Sequence, residues 1–277
     1  MAAPSSASGR GRFLLYAVLI GYACLTLGPF LWSLSASFKT ADTVDLWPPT
    51  LIPNPFTLDN YRYILQKLPF VRWLINSLVI AGVVTLANVY LNSMAGYALA
   101  RLKFPGSKSL FWVIIGTMMI PGQVIIVPVF IMMSKLGWVD TYYALTIPFL
   151  TSTFGVFLMR QFFLSVPKSL EEAATLDGMG PFQTFFRIIL PIAKPAMAAQ
   201  AIFMFLGNWN SFMWPAMLLS TPEMFTLPVG LNSFQGQYYT FWNVVMAGTM
   251  FITAPVIVVF IIFQRYFIQG IATTGLK

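Results

Sequence analysis

Long apolar runs separated by short polar segments organise this chain. Six runs stand out, at about 13–38, 73–100, 109–134, 142–159, 195–220 and 242–264. As helices, each is long enough to cross about 30 Å of hydrocarbon. None holds Asp, Glu, Lys or Arg in its interior. The pattern predicts an all-α membrane protein of six transmembrane helices. Pro121 and Pro128 interrupt the third run, Pro148 the fourth and Pro255 the sixth. Proline removes a backbone donor inside a helix, so these positions predict kinks, which spans tolerate when neighbouring helices satisfy the freed carbonyls.

Composition agrees with this reading. Of 277 residues, 58% are hydrophobic and 9% charged, where soluble domains carry about a quarter charged residues. Mean hydropathy is +0.76. The formal net charge of +8 would suggest nucleic acid in a soluble protein. Here the basic residues lie between apolar runs and report topology instead. With the N-terminus inside, eleven cations fall on the cytoplasmic side: Arg10, Arg12, Arg101, Lys103, Lys108, Arg160, Lys168, Arg187, Lys194, Arg265 and Lys277. Five fall outside: Lys39, Arg62, Lys67, Arg72 and Lys135. The bias predicts both termini in the cytoplasm. The reading is a cytoplasmic leader at 1–12 followed by a single transmembrane domain at 13–277. The first run, about 26 residues, exceeds the ~7–15 apolar residues of a cleaved signal, so a retained span is expected.

Two loops are long. The extracytoplasmic one, 39–72, is rich in Pro, Trp and Tyr. The cytoplasmic one, about 161–194, falls between spans four and five. Ser169 and Glu172 have capping-box spacing, which predicts a short helix starting there. Gly178 and Gly180 can end it. Pro181 suits the first position of a second helix, and Pro191 reads as a stop. The expectation is helix, glycine turn, helix at the inner membrane face. Small residues (Ala173, Ala174, Gly178) would let a partner approach closely, and Glu171 and Glu172 could meet basic residues on it. On the residues alone, an amphipathic connector lying on the membrane between spans is the favoured alternative.

Glu172-Ala173-Ala174, three residues, Gly178, nine residues, Ile188, one residue, Leu190-Pro191 resembles the EAA signature of ABC-importer permeases. The resemblance implies a coupling loop in which Glu171, Glu172, Ala173, Ala174, Asp177, Gly178, Leu190 and Pro191 contact a separate ATPase. It implies partners as well: a second homologous permease subunit, two ATP-binding subunits and an extracytoplasmic solute-binding protein docking near 60–72. Other segments are similar to the carbohydrate branch, as in the maltose and glycerol-phosphate importers. They are Asn60-Tyr61-Arg62, Asn76-Ser77, Ala95 through Gly106, Pro121-Gly122-Gln123, Trp209-Asn210-x-Phe212-x-Trp214-Pro215 and Gln264-Arg265 with Gly270. In that branch a C-terminal tail such as 273–277 can reach between the ATPase subunits; a frayed end is the alternative.

The function expected is therefore the permease subunit of a sugar importer in a prokaryotic cytoplasmic membrane, forming half of the translocation pathway. Candidates to line it are Asn88, Asn92, Gln123, Asn208, Trp209, Asn210 and Trp214, with Asn243 a further amide in a span. Amides and aromatic faces suit sugar hydroxyls and C–H faces. The same amides can instead bond one another between helices. There is no G-x-x-x-x-G-K-[ST] loop to cradle phosphates, so ATP and Mg are expected on a partner, with no cofactor in this chain. A chain with no histidine and one cysteine, Cys24, has little from which to build an enzyme site or a metal site. The rival reading is a proton- or ion-coupled secondary carrier, which the uncharged spans oppose.

Overall fold

The structure, a computed structural model, describes residues 9–236 and 239–274, with side chains over 11–236 and 239–262. The first eight residues of the leader, the last three of the tail and the side chains of the Gln264–Gly270 motif lie outside the described residues. Among the described residues there are helices and turns, no named strand, and one isolated bridge between Gln235 and Thr240.

Four helices are long and apolar enough to cross a membrane: Gly11–Ser37, Phe70–Arg101, Tyr142–Ser165 and Trp242–Ile262. A fifth candidate is the pair Pro181–Ile192 and Lys194–Trp209, bent by 77°. Six continuous spans are thus not seen. The third predicted run is two helices, Ser107–Thr117 and Ile126–Lys135, with Pro121 in the turns between them. Pro128 causes no break because it sits in the first turn of the second helix, where its missing N–H has no intrahelical acceptor. Pro148 lies in a short 3-10 turn, Ile147–Phe149, that interrupts the fourth run. Pro255 lies within an unbroken helix, Trp242–Thr274. The fifth run stops as a helix at Trp209 and resumes as Met213–Leu218.

Two compact units form, one from Met1–Leu68 with Leu231–Thr253, the other from Pro69–Gly230 with Ala254–Lys277. In the first, the helix Gly9–Ser37 exposes apolar side chains on every face; Phe13 and Leu25 are each 75% exposed. Such all-round apolarity belongs in a membrane. Its end is tied down. Asn60 Nδ2 donates to the carbonyls of Ser37 (2.9 Å) and Lys39 (2.8 Å), and Asn243 Nδ2 donates to Asn60 Oδ1 at 2.6 Å. Lys39 is buried, donating to the Thr50 carbonyl and lying 4.6 Å over the Trp32 ring.

In the second unit, Phe70–Arg101 is the central helix, packed by Thr153–Ser165 and Lys194–Trp209. Glycine permits the closeness. A Cβ on Gly96 would lie 2.8 Å from Met159 Cβ and from the Arg160 nitrogen, and one on Gly155 would overlap Asn92 and Gln200. Small residues serve helix association where no hydrophobic effect separates helix from lipid. Two apolar clusters mark the ends of this packing. Tyr97, Met159, Phe163, Phe185 and Ile189 meet beside the predicted coupling loop. Ile80, Met133, Leu145 and Leu218 meet at the opposite end of the central helix.

Candidate coupling loop and solute cavity

The loop folds as helix, glycine turn, helix. Its first helix is Ser169–Leu176. Lys168, not Ser169, holds the cap position, and no side chain caps it, so the predicted capping box does not form. The reason is the preceding proline. Leu170 N–H bonds the Pro167 carbonyl, while Glu171 and Glu172 N–H bond that of Lys168, which draws Ser169 into the first turn. Gly178 then takes φ +78°, a left-handed conformation that glycine adopts without Cβ strain. Gly180 is extended and precedes Pro181 at the start of the next helix. Pro191 does not simply stop that helix. A π segment, Phe185–Ile189, precedes it, with Leu190 N–H bonding the Phe185 carbonyl. A proline ring crowds the carbonyl four residues back, and widening the helix relieves this. The chain turns by 77° between Ile192 and Lys194.

The loop residues divide between two faces. Ala174 is buried, and the Glu171 side chain is 20% exposed and faces inward. Its Oε1 lies 3.6 Å from Arg101 Nε, an ion pair too long for a hydrogen bond. Arg101 also donates to the Val166 carbonyl. Glu172, Ala173, Asp177, Gly178 and Pro191 are exposed, while Leu190 is half-buried against the Phe185 cluster. The small and acidic residues other than Glu171 and Ala174 therefore present an open face, and nothing lies within 4 Å of where a Gly178 Cβ would sit.

The amides separate differently from expectation. Asn88 and Asn92 are 1% and 0% exposed, and the side-chain amide donors of both point into helix packing. Asn88 Nδ2 donates to the carbonyls of Phe149 (2.6 Å) and Val84 (2.9 Å), and Asn92 Nδ2 donates to Asn88 Oδ1 (3.0 Å) and Ser152 Oγ (3.2 Å). Gln200 Nε2 joins them at the Asn88 carbonyl, 3.1 Å away. They hold three helices together and present no wall to a solute. Trp209 is likewise core, 1% exposed and stacked on Phe205. Asn210 lies just past the helix end, where its Nδ2 bonds the Leu206 carbonyl. Gln123 is exposed in the turn between the two helices of the third run.

Asn208 and Trp214 do share a cavity, of about 240 Å³, with Ser77, Phe149, Ser211 and Thr226. It carries hydroxyls, an amide and aromatic faces but no charge. Trp214 meets Phe149 edge to face at 5.3 Å. Thr226 is 5% exposed, and its Oγ1 has no hydrogen-bond partner.

One wall depends on residues that the sequence reading did not single out as site residues. Segment 220–226 is held by side chains from elsewhere. Trp73 Nε1 donates to the Pro222 carbonyl (2.7 Å), and Asn76 Nδ2 donates to the carbonyls of Glu223 (2.8 Å) and Phe225 (2.9 Å). Ser77 Oγ accepts from Leu227 N–H at 2.8 Å. Asp140 sits at φ 62° and accepts from the N–H groups of Ser220 (2.9 Å) and Thr221 (3.2 Å). Burial alone would raise its pKa, but these donors prevail and hold the carboxyl below its ordinary range. The resemblance at Asn76-Ser77 was a signal available in the chain; the partners of these two residues lie about 150 positions away.

Among the described residues, no group of three or more Cys, Asp and Glu gathers as a metal site. Comparison with known proteins is direct. The family model described as binding-protein-dependent transport system inner membrane component matches residues 92–273. The arabinooligosaccharides transport system permease protein AraQ of Halalkalibacterium halodurans is 36% identical over 95% of this chain and 97% of its own. The trehalose/maltose transport system permease protein MalG of Thermococcus litoralis is 34% identical, covering 96% and 97%. The sn-glycerol-3-phosphate transport system permease protein UgpE of Brucella abortus is 32% identical, covering 92% and 96%. A crystal structure of a bacterial ABC transporter involved in the import of the acidic polysaccharide alginate superposes with a TM-score of 0.83 at 26% identity, covering 96% of this chain and all of the matched one. Matched along nearly its whole length by such relatives, the chain belongs to the family of inner-membrane components of binding-protein-dependent transport systems.

Proposed function

We propose that this chain is the permease subunit of an ATP-driven importer for a neutral di- or oligosaccharide, supplying half of the translocation pathway. The carrying observation is the exposed Glu172–Gly178 face of a helix-turn-helix loop, inside the region that matches the transport family. In this reading the loop enters a groove on a separate ATPase, which holds ATP and Mg. A second, related permease completes the path, two ATP-binding subunits power it, and an extracytoplasmic solute-binding protein delivers the sugar. Both termini and the loop lie in the cytoplasm.

Sugar as cargo is supported by the relatives that carry saccharides in their names and by the cavity around Asn208 and Trp214. Its hydroxyls and amide suit sugar hydroxyls, and its aromatic faces suit sugar C–H faces. The absence of charge disfavours a phosphorylated cargo. ATP binding closes the ATPase pair, the loop carries that motion into the 77° bend at Ile192–Lys194, and the cavity alternates between outward and inward opening. A proton- or ion-coupled carrier would need a charged group near the centre of the spans, and the six apolar runs hold no Asp, Glu, Lys or Arg.

Reconstitution with the neighbouring subunits tests this. Uptake of radiolabelled oligosaccharide should require ATP and survive collapse of the proton gradient. Gly178→Asp should abolish uptake while the complex still assembles. Normal uptake and normal sugar-stimulated ATPase activity in that variant would remove the assignment.

A further inference from the structure

A second recess in the same unit has no role in this transport scheme. It is a cleft of about 390 Å³ between the helices Ser107–Thr117 and Thr153–Ser165, lined by Lys108, Phe111, Trp112, Phe157, Arg160 and Gln161. We propose that this cleft binds the phosphodiester headgroup of an anionic phospholipid, with Arg160 and Lys108 as its cations and Trp112 as the interfacial anchor.

Arg160 is held ready for an anion. Its guanidinium carbon lies 3.8 Å over the Phe111 ring, and its Nε donates to the Leu99 carbonyl at 3.4 Å. That uses one of five guanidinium donors. The ion pairs among the described residues are Arg62–Asp59 and Arg101–Glu171, so neither Arg160 nor Lys108 meets a carboxylate there. Lys108 adds a second, independent sign. It stands in the first turn of an eleven-residue helix that has no acid in that turn and no side-chain cap. A cation there opposes the helix dipole; Ser107 and Leu110 N–H bond the Phe104 and Gly106 carbonyls, and no side chain or acid caps the N–H groups of Lys108 and Ser109. An anion satisfies both conditions at once.

The surroundings favour a lipid over a free ion. Trp112 and Val113, beside the cleft, are 69% and 66% exposed and apolar, as a surface against acyl chains would be. Tryptophan concentrates at the headgroup level of membranes. Basic pockets between helices on the cytoplasmic side are known to take anionic headgroups, and the charge count assigns Lys108 and Arg160 to that side. This inference does not depend on which solute the transporter carries.

The experiment compares the full chain in its transporter complex in nanodiscs of phosphatidylcholine with and without phosphatidylglycerol. Readouts are the unfolding midpoint and the phosphatidylglycerol retained in native mass spectra. Phosphatidylglycerol should raise the midpoint of the wild type and co-purify with it. Lys108→Gln and Arg160→Gln should each lower retention about fivefold. Lys135→Gln, on the opposite side by the charge count, should retain lipid normally. If Arg160→Gln does not fold, Lys108→Gln decides. Equal retention in all variants overturns the proposal. So does inorganic phosphate reproducing the midpoint shift in pure phosphatidylcholine, which identifies a free-anion site.

Discussion

Arg101, the last residue of the central helix, meets Glu171 of the loop helix at 3.6 Å and also donates to the Val166 carbonyl. Their side chains are 5% and 20% exposed. One guanidinium thus fastens both the end of Thr153–Ser165 and the start of the loop. The proposed coupling face rides on a helix clamped to the core by this pair and by Ala174.

Breaking the clamp should separate stability from coupling. Glu171→Gln should cost about 1–3 kcal/mol, since it leaves a mostly buried guanidinium without its counter-charge. Arg101→Gln should cost more, because the Val166 carbonyl also loses its donor. Glu172→Gln, on the open face, should leave the unfolding midpoint unchanged and lower ATPase stimulation. Thermal unfolding of the purified complex, beside its ATPase rate, checks the order. A large stability loss at Glu172 with none at Glu171 would reverse the assignment of faces.

Gly178 and Gly180 should respond differently. Gly178→Ala places a Cβ at φ +78° and should cost about 1–2 kcal/mol of local stability. Gly178→Asn should cost less, since Asn tolerates that region. Gly180 has φ −76°, so Gly180→Ala should be silent. Hydrogen exchange of the loop amides across the three variants measures this directly.

Two glycines on the packed helices should be intolerant. Gly155→Ala forces a methyl into Asn92 and Gln200, and Gly96→Ala into Met159. Overpacking of this kind costs typically about 1–3 kcal/mol. Gly82→Ala meets nothing within 4 Å and should be neutral or stabilising by up to ~1 kcal/mol. Unfolding midpoints in detergent give the comparison.

The cavity can be tested without harming the fold. Thr226→Val replaces a buried hydroxyl that has no partner, so stability should hold or rise. If sugar bonds that hydroxyl, KM for uptake should rise. Asn208→Ala and Trp214→Ala should weaken uptake too. Trp209→Ala should act instead through the fold, costing about 3–5 kcal/mol. A Trp209 variant that is stable but transport-deficient would contradict its burial.

Asp140 supplies a pH dependence. Its carboxyl is held below the ordinary range by the Ser220 and Thr221 N–H groups. A depressed folded value means stability that is full above about pH 4, the unfolded value, and lost as pH falls through the folded one. Asp140→Asn keeps a side chain tolerant of φ 62° and removes the charge. Its deficit against wild type should be constant near neutrality and shrink below about pH 4. A deficit independent of pH would mean that the carboxylate is not the acceptor.

Much of this protein is local in origin and was legible in the chain. Apolar runs fix where helices form because hydrocarbon demands internally bonded backbone. Gly178 and Pro181 fix the loop's turn because their own dihedrals do. The lack of Asp, Glu, Lys and Arg in the six apolar runs follows from the residues alone. Other features required the fold. Pro167 displaced the cap at Ser169 by one residue, and Pro191 produced a π segment and a 77° bend, not a stop. The third run broke at Pro121 but not at Pro128, which sits in a first turn where its missing N–H has no intrahelical acceptor, and Pro255 left its helix unbroken. Above all, the sequence could not sort the amides. A span apolar on every side has no periodicity to reveal its rotation, so Asn88 and Asn92 read the same as Asn208. Only packing against Ser152, Phe149 and Gln200 turned the first two into fasteners between helices and left Asn208, with Trp214 and Thr226, facing open space.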